Sequence, residues 1–236
     1  DLNYIHNGAL SGMPDNLPDQ FVKGNKATLS TDKPLHQDVN GVPVVFIGWS
    51  LELERNILSA GDNHNCITEV DFTDHDISVY AVWGYDTDGD GTADATQEAH
   101  KLLFDNNGGY NGPESGKYYL TDTVIDLTAV KQPIHADEKE VPVAFIGWSE
   151  TAPSGIYTKD DAFPATLGDI TMGNADITLH AVWGYDTNNN GKADVLEVGH
   201  YLTYKQNGGK KNSVPTDADL HMPGDVVKVK TKVPTH

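Results

Sequence analysis

Two short stretches of this sequence place oxygen-bearing side chains at a spacing that suits a metal ion. The first reads Asp86-Thr87-Asp88-Gly89-Asp90-Gly91-Thr92-Ala93-Asp94. The second reads Asp186-Thr187-Asn188-Asn189-Asn190-Gly191-Lys192-Ala193-Asp194-Val195-Leu196-Glu197. Oxygens at loop positions 1, 3, 5 and 9, a glycine at 6 and a backbone carbonyl at 7 make the pattern of an EF-hand calcium loop. Alternate residues turn inward as the chain wraps a cation that takes six to eight oxygens, and glycine permits the sharp turn at position 6. The ligand set expected for the first loop is Asp86, Asp88, Asp90, the carbonyl of Thr92, and Asp94. For the second it is Asp186, Asn188, Asn190, the carbonyl of Lys192, Asp194 and Glu197. Glu197 stands at position 12, where a bidentate carboxylate belongs; the first loop has Gln97 there and Glu98 one residue late. The first loop therefore has more charge and the second the better geometry. Magnesium fits less well than calcium because it resists losing its waters.

Other residues with chemistry to offer are few. Cys66, the single cysteine, follows Asp62 and His64 closely. A thiol nucleophile needs an activated thiolate, and this trio has no counterpart later in the chain, so it reads as non-catalytic. One cysteine also excludes an internal disulfide framework and any multi-cysteine zinc site. His100 and His200 recur at the start of a strand and read as strand-edge residues rather than zinc ligands. No catalytic set emerges, and the expectation is that the protein is not an enzyme.

The elements that hold the loops repeat every hundred residues or so. Val42-Pro43-Val44-Val45-Phe46-Ile47-Gly48-Trp49-Ser50 returns at 141–149 with one change in nine, and Asp76–Thr87 returns at 176–187. Leu2–Gly8 is matched at 102–108 and again at 202–208, and Pro34, Pro133 and Pro234 are each followed two residues on by His36, His135 and His236. The organisation expected is repeat 1 over 1–97 with its loop at 86–97, repeat 2 over 98–197 with its loop at 186–197, and an incomplete third repeat over 198–236. Each loop thus lies between the last strand of one repeat and the first strand of the next. Without metal such a linker is flexible and self-repelling; with metal it becomes a joint of fixed length, and the chain an extended rod.

Within a repeat the pattern is mostly that of strands. Leu2–His6 and its copies alternate and run into Asn-Gly turns. Lys26–Ser30, Val124–Leu127 and Val226–Val229 carry β-branched alternation. Val44–Trp49 is so continuously apolar that it reads as a central strand covered on both faces. Ile77–Trp83 puts Val79, Ala81 and Trp83 on one face. The best helical candidate is a weak amphipathic stretch at Leu51–Leu58. Trp49, Trp83, Trp148 and Trp183 recur with the strand pattern and so read as core rather than as a carbohydrate-stacking platform. Tyr85 and Tyr185, beside the loops, are placed to pack across the junctions. The segments 51–75 and 150–175 do not resemble each other, and such divergent loops are where a contact particular to one repeat would sit.

Composition narrows the function further. A formal charge of −19 over 236 residues, with 35 acids against 16 bases, lacks the cationic footprint that nucleic acids or anionic membranes require. No apolar run approaches the ~20 residues of a membrane span, and Asp1-Leu2-Asn3-Tyr4 does not start a signal peptide.

Phe46–Trp49 and Phe145–Trp148 each pair an aromatic residue with Gly-Trp, and Ala81–Trp83 and Ala181–Trp183 each end a strand in small-x-Trp. With the Leu-x-Tyr-x-x-Asn-Gly turn, these motifs resemble the Listeria–Bacteroides repeat family, the B-repeat modules of internalin-type surface proteins. The resemblance covers both complete repeats and the start of the third. It implies small β-grasp-like modules, a fold mainly β to α+β, in a stalk or adhesin on a microbial cell surface. The repeats here are longer than the compact family repeat, and the Asp-rich loops lie outside its core pattern, looking instead like those of dockerins. The expected partners are adjacent modules or other copies of the chain, and a host or glycan receptor. Two alternatives stand beside the stalk: a glycan- or protein-binding module using loops 51–75 and 150–175, and a filament subunit completed through the open edge of the third repeat.

Overall fold

The computed structural model describes residues 1–18, 21–233 and 235. In chain order the strands are β1 (Leu2–Ile5), β2 (Lys26–Thr28), β3 (Val44–Ser50), β4 (Glu69–Asp71), β5 (Ile77–Tyr85), β6 (Ala99–Asp105), β7 (Lys117–Leu120), β8 (Val124–Asp126), β9 (Val143–Ser149), β10 (Ile156–Tyr157), β11 (Asp169–Thr171), β12 (Ile177–Tyr185), β13 (His200–Tyr201) and β14 (Leu220–His221). Two one-turn 3-10 segments, Asp94–Thr96 and Asp194–Leu196, follow β5 and β12. The fold is mainly β, in several small sheets, and no α-helix occurs among the described residues.

The first compact unit comprises Asp1–Leu102, Lys117–Val124 and Thr171–Asp176. Its main sheet has the order β1-β5-β3, with β1 parallel and β3 antiparallel to β5. The central strand is β5, not the apolar run Val44–Trp49 expected there. That run forms β3, which pairs β5 on one side and, among the described residues, has only an isolated bridge, Trp49 to Ile67, on the other. The face expected on β5 is buried, with Val79 and Ala81 at 0% exposure and Trp83 at 3%. Trp49 joins them in the core, with Tyr4 edge-on to it at 4.8 Å. The recurring Asn-Gly turn and the Pro-x-His echo meet at the second tryptophan of the repeat. The Trp83 indole N–H donates to the Asn7 carbonyl at 2.6 Å, and the His36 ring lies 4.9 Å from it. A two-stranded sheet of β2 and β4 closes the core with Ala27 and Val70.

The stretch Leu51–Leu58 is not helical. Backbone N–H groups of Glu52 and Asn56 bond to the side chains of Ser50 and Glu54 instead of to carbonyls four residues back. Leu51 and Leu53 stay exposed. Leu58 is drawn alongside β5, donating to Trp83 and accepting from Tyr85, so the chain must be extended there.

The second unit comprises Leu103–Gly116, Ile125–Ile170 and Ile177–His236, of which the described residues follow the same plan. β9 is antiparallel and β10 parallel to β12, and β8 pairs β11. The Trp183 indole donates to Asn106, and His135 lies 5.1 Å from its ring. The divergent segments keep a common backbone course despite their sequences. β10 pairs Tyr157 with Gly184 as Leu58 bridges Gly84, and Leu167 bridges Trp148 as Ile67 bridges Trp49. In the third repeat β13 and β14 form an antiparallel pair. The expected strand at 202–206 is absent, and so is that at Val226–Val229, where Val226 and Val229 are 95% and 68% exposed. In the earlier repeats these stretches pair with strands supplied much later in the repeat, and the described residues of the third repeat hold no such partner. Pro234 and His236 lie outside the described residues.

Candidate metal centre

Each Asp-rich loop starts where the central strand stops, and the strand fixes the residue at loop position 1. The Asp86 N–H donates to the Pro43 carbonyl at 3.0 Å and the Asp186 N–H to that of Pro142 at 2.9 Å. Both carboxylates are buried, Asp86 at 3% exposure and Asp186 at 2%. Asp86 accepts backbone N–H groups from Gly89, Asp90 and Gly91 at 2.8, 3.1 and 3.0 Å. Asp186 accepts from Asn190 and Gly191 at 3.0 and 2.8 Å. The position-1 carboxylate therefore curls the loop around itself. Position 9 closes the far end: buried Asp94 and Asp194 accept from the N–H and hydroxyl of Thr87 and Thr187.

A packing contact locks the exit. A Cβ at Gly84 or Gly184 would stand 2.7 Å from the methyl of Ala93 or Ala193, so each alanine seats its 3-10 turn directly on strand backbone. Both alanines are buried. These recurring threonines and alanines are working parts of the loop that ligand spacing alone passes over. Their identity in both repeats is the signal that finds them.

In the first loop Asp86, Asp88 and Asp94 each bring a carboxylate oxygen within 4.8 Å of the others, a cluster that could hold a metal ion. Asp90 lies outside that trio; its carboxylate accepts from the Thr92 N–H at 2.7 Å and lies 3.4 Å from the Gln97 amide nitrogen. Gln97 also reaches the Thr92 carbonyl at 3.3 Å, which brings positions 5, 7 and 12 together. Glu98 turns away to His100, at 3.1 Å, so position 12 belongs to Gln97. In the second loop positions 3, 5 and 12 meet directly. The Asn188 amide donates to one Glu197 oxygen at 3.0 Å and the Asn190 amide to the other at 2.7 Å. The oxygens of both amides are engaged as well, that of Asn188 by the Asn190 N–H at 3.2 Å and that of Asn190 by the Lys192 N–H at 2.9 Å, so positions 3, 5 and 12 converge through hydrogen bonds. The Lys192 N–H bonds to Asn190, which holds position 7 in the loop.

The other chemically suggestive residues are placed differently. Burial pushes the Cys66 thiol up to about 11, leaving it protonated at neutral pH. It packs on Gly48, where an added Cβ would be 3.0 Å from the Cys66 Cβ. Asp62 is engaged with the Ser59 N–H, and His64 is exposed. His100 is partly buried between Glu98 and Asp176, and His200 is exposed in β13. All four tryptophans are buried, at 1–3% exposure.

No protein-family model matches the chain. No curated protein matches it either. Among solved structures, it is similar to Streptococcal High Identity Repeats in Tandem (SHIRT) domains 3-4 from a cell surface protein, at 12% identity over 78% of this chain and 96% of that one, with a TM-score of 0.24. A score that low carries no argument about fold or function.

Proposed function

We propose that this chain is a non-enzymatic, extracellular tandem-repeat segment of a microbial surface protein, a stalk or adhesin whose inter-repeat joints are set by calcium. The observation that carries this is the recurrence of one loop at one place. Twice, a buried carboxylate at the end of the central strand gathers the loop's backbone N–H groups, and in the first loop Asp88 and Asp94 bring carboxylate oxygens within 4.8 Å of it. Oxygen-only ligands, carboxylate charge and glycine at position 6 favour calcium. The resemblance of the Trp-bearing strands to Listeria–Bacteroides repeats supports a surface location. A protonated, packed Cys66 thiol supports a scaffold rather than a catalyst.

Thermal unfolding with calcium and with chelator tests this. Metal at a hundredfold excess over its dissociation constant adds about 2.7 kcal/mol per site to whatever unfolds with it. For a repeat of this size that is a rise on the order of 10 °C. Equal melting temperatures in the two conditions would reject the calcium joint.

A second reading has its own place on the first unit. A cleft of about 410 Å³ is lined by Thr28, Ser30, Phe46, Ile67, Thr68 and Thr92, the last from the metal loop. Its hydroxyl-rich rim suits a neutral glycan. Glycan titration monitored at Trp49 and Phe46 would separate a binding module from a bare stalk.

A further inference from the structure

The divergent segment of the first repeat ends in a turn, Ser59–Asp62, in which the Asp62 carboxylate caps the Ser59 N–H at 2.8 Å. Gly61 in this turn has φ +83°, and a Cβ there would lie no more than 2.7 Å from three carbons of the Tyr118 ring. Tyr118 belongs to β7, in the second repeat of the sequence, yet β7 and the turn are both part of the first compact unit. β7 is held in register by β6, which pairs Lys101 with Tyr118, and the Lys101 ammonium stands 5.1 Å from the ring centroid. The ring is therefore fixed from its own side and seated on bare backbone on the other.

The second repeat has the same turn without the same fit. Thr158 and Asp161 make the equivalent bond at 2.7 Å, but Asp160 stands where Gly61 does. In the β13–β14 pair His200 and Tyr201 face His221 and Leu220, as His100 and Lys101 face Tyr119 and Tyr118. Leu220 thus takes the place of Tyr118. A cleft of about 450 Å³ remains beside it, bordered by Thr158, Lys159, Tyr185, Leu220 and Met222. Turn residue and ring change together, and where both are absent the space is open.

We propose that Tyr118 seated on Gly61 is a metal-independent clasp by which the divergent loop of the first repeat grips the following repeat, and that the second joint lacks the clasp and relies on its metal loop alone. This rests on the calcium reading for the second joint only. The divergent loop would then serve a neighbouring module, the partner chemistry being an aromatic ring on a strand edge rather than a foreign receptor.

Amide hydrogen exchange on the full chain tests it. In chelator, amides of 186–198 should exchange at least tenfold faster than in calcium, while those of 86–98 stay protected within about threefold. Tyr118→Ala in chelator should speed exchange at 86–98 at least tenfold, with β5 and β12 unchanged as proof of folding; Tyr118→Phe should not. Gly61→Asp, which installs the residue of the second repeat, should act as Tyr118→Ala does and serves if the alanine variant fails to fold. Unchanged exchange at 86–98 in both disruptive variants would overturn the clasp. Equal exchange at 186–198 with and without calcium would overturn the calcium joint instead, leaving the chelator comparison to judge the clasp.

Discussion

Asp86 and Asp186 do two jobs at once. Each is buried and each organises its loop through backbone N–H groups, so the loop is shaped before any cation arrives. That preorganisation lowers the ordering cost of binding. Asp86→Asn loses the charge and one of the two accepting oxygens, so calcium affinity at the first loop should fall at least tenfold while stability in chelator falls less than in Asp86→Ala. Asp86→Ala leaves the Gly89, Asp90 and Gly91 N–H groups without their acceptor and should also lower stability in chelator, by about 1–3 kcal/mol. Calorimetric titration and denaturant melts separate the two variants. At this scale the placing of the Asp-rich loops directly after β5 and β12 was legible, because Asp, Asn and Gly at that density mark a turn. Thr87 was not, since position 2 of such a loop reads as a spacer until Asp94 is seen to bond it. Nor was the choice of Gln97 over Glu98, which depends on where His100 sits.

Elements were legible where alternation is local. β1, β2 and β8 fall inside the stretches that patterning marks, and β3 and β5 overrun theirs, to Ser50 and Tyr85. Which strand is central was not, because β5 owes its place to parallel pairing with β1, seventy-five residues earlier at Leu2 and Ile77. The continuous apolar run of β3 reflects packing of Phe46 against Trp49 and Trp83 and of Ile47 beside Gly84. Leu51–Leu58 kept leucines at near-helical spacing, but tertiary pairing of Leu58 with β5 outweighs so weak a propensity. The contact between strand and loop gives a test at this scale. Gly84→Ala drives a methyl into Ala93 and should cost about 1–3 kcal/mol by overpacking. It should also weaken calcium at the first loop, since Asp94 follows Ala93 directly. Truncating Trp148, at 2% exposure, should cost about 3–5 kcal/mol without touching calcium affinity, as denaturant melts and titrations would show.

For the whole molecule the governing quantity is charge. At −19, mutual repulsion works against any compact arrangement of acidic loops, and a bound dication relieves it where it is most concentrated. Acid has a different effect. Asp105, Asp126, Asp161 and Asp217 are held below the ordinary 3.8, each chiefly by hydrogen bonds from neighbouring backbone or hydroxyl groups. Depressed folded values mean that their stabilisation is complete above the unfolded value and disappears as pH falls through the folded ones. Melting temperature in chelator should therefore hold from pH 7 to about 5 and drop below about 4. The most direct test of the account is a calorimetric titration of calcium into the metal-stripped chain at neutral pH, carried to about 10 mM because extracellular modules bind at about 10⁻⁴–10⁻³ M. The account predicts saturable binding of two ions, reduced to one in Asp186→Ala. No saturable binding over that range would contradict it.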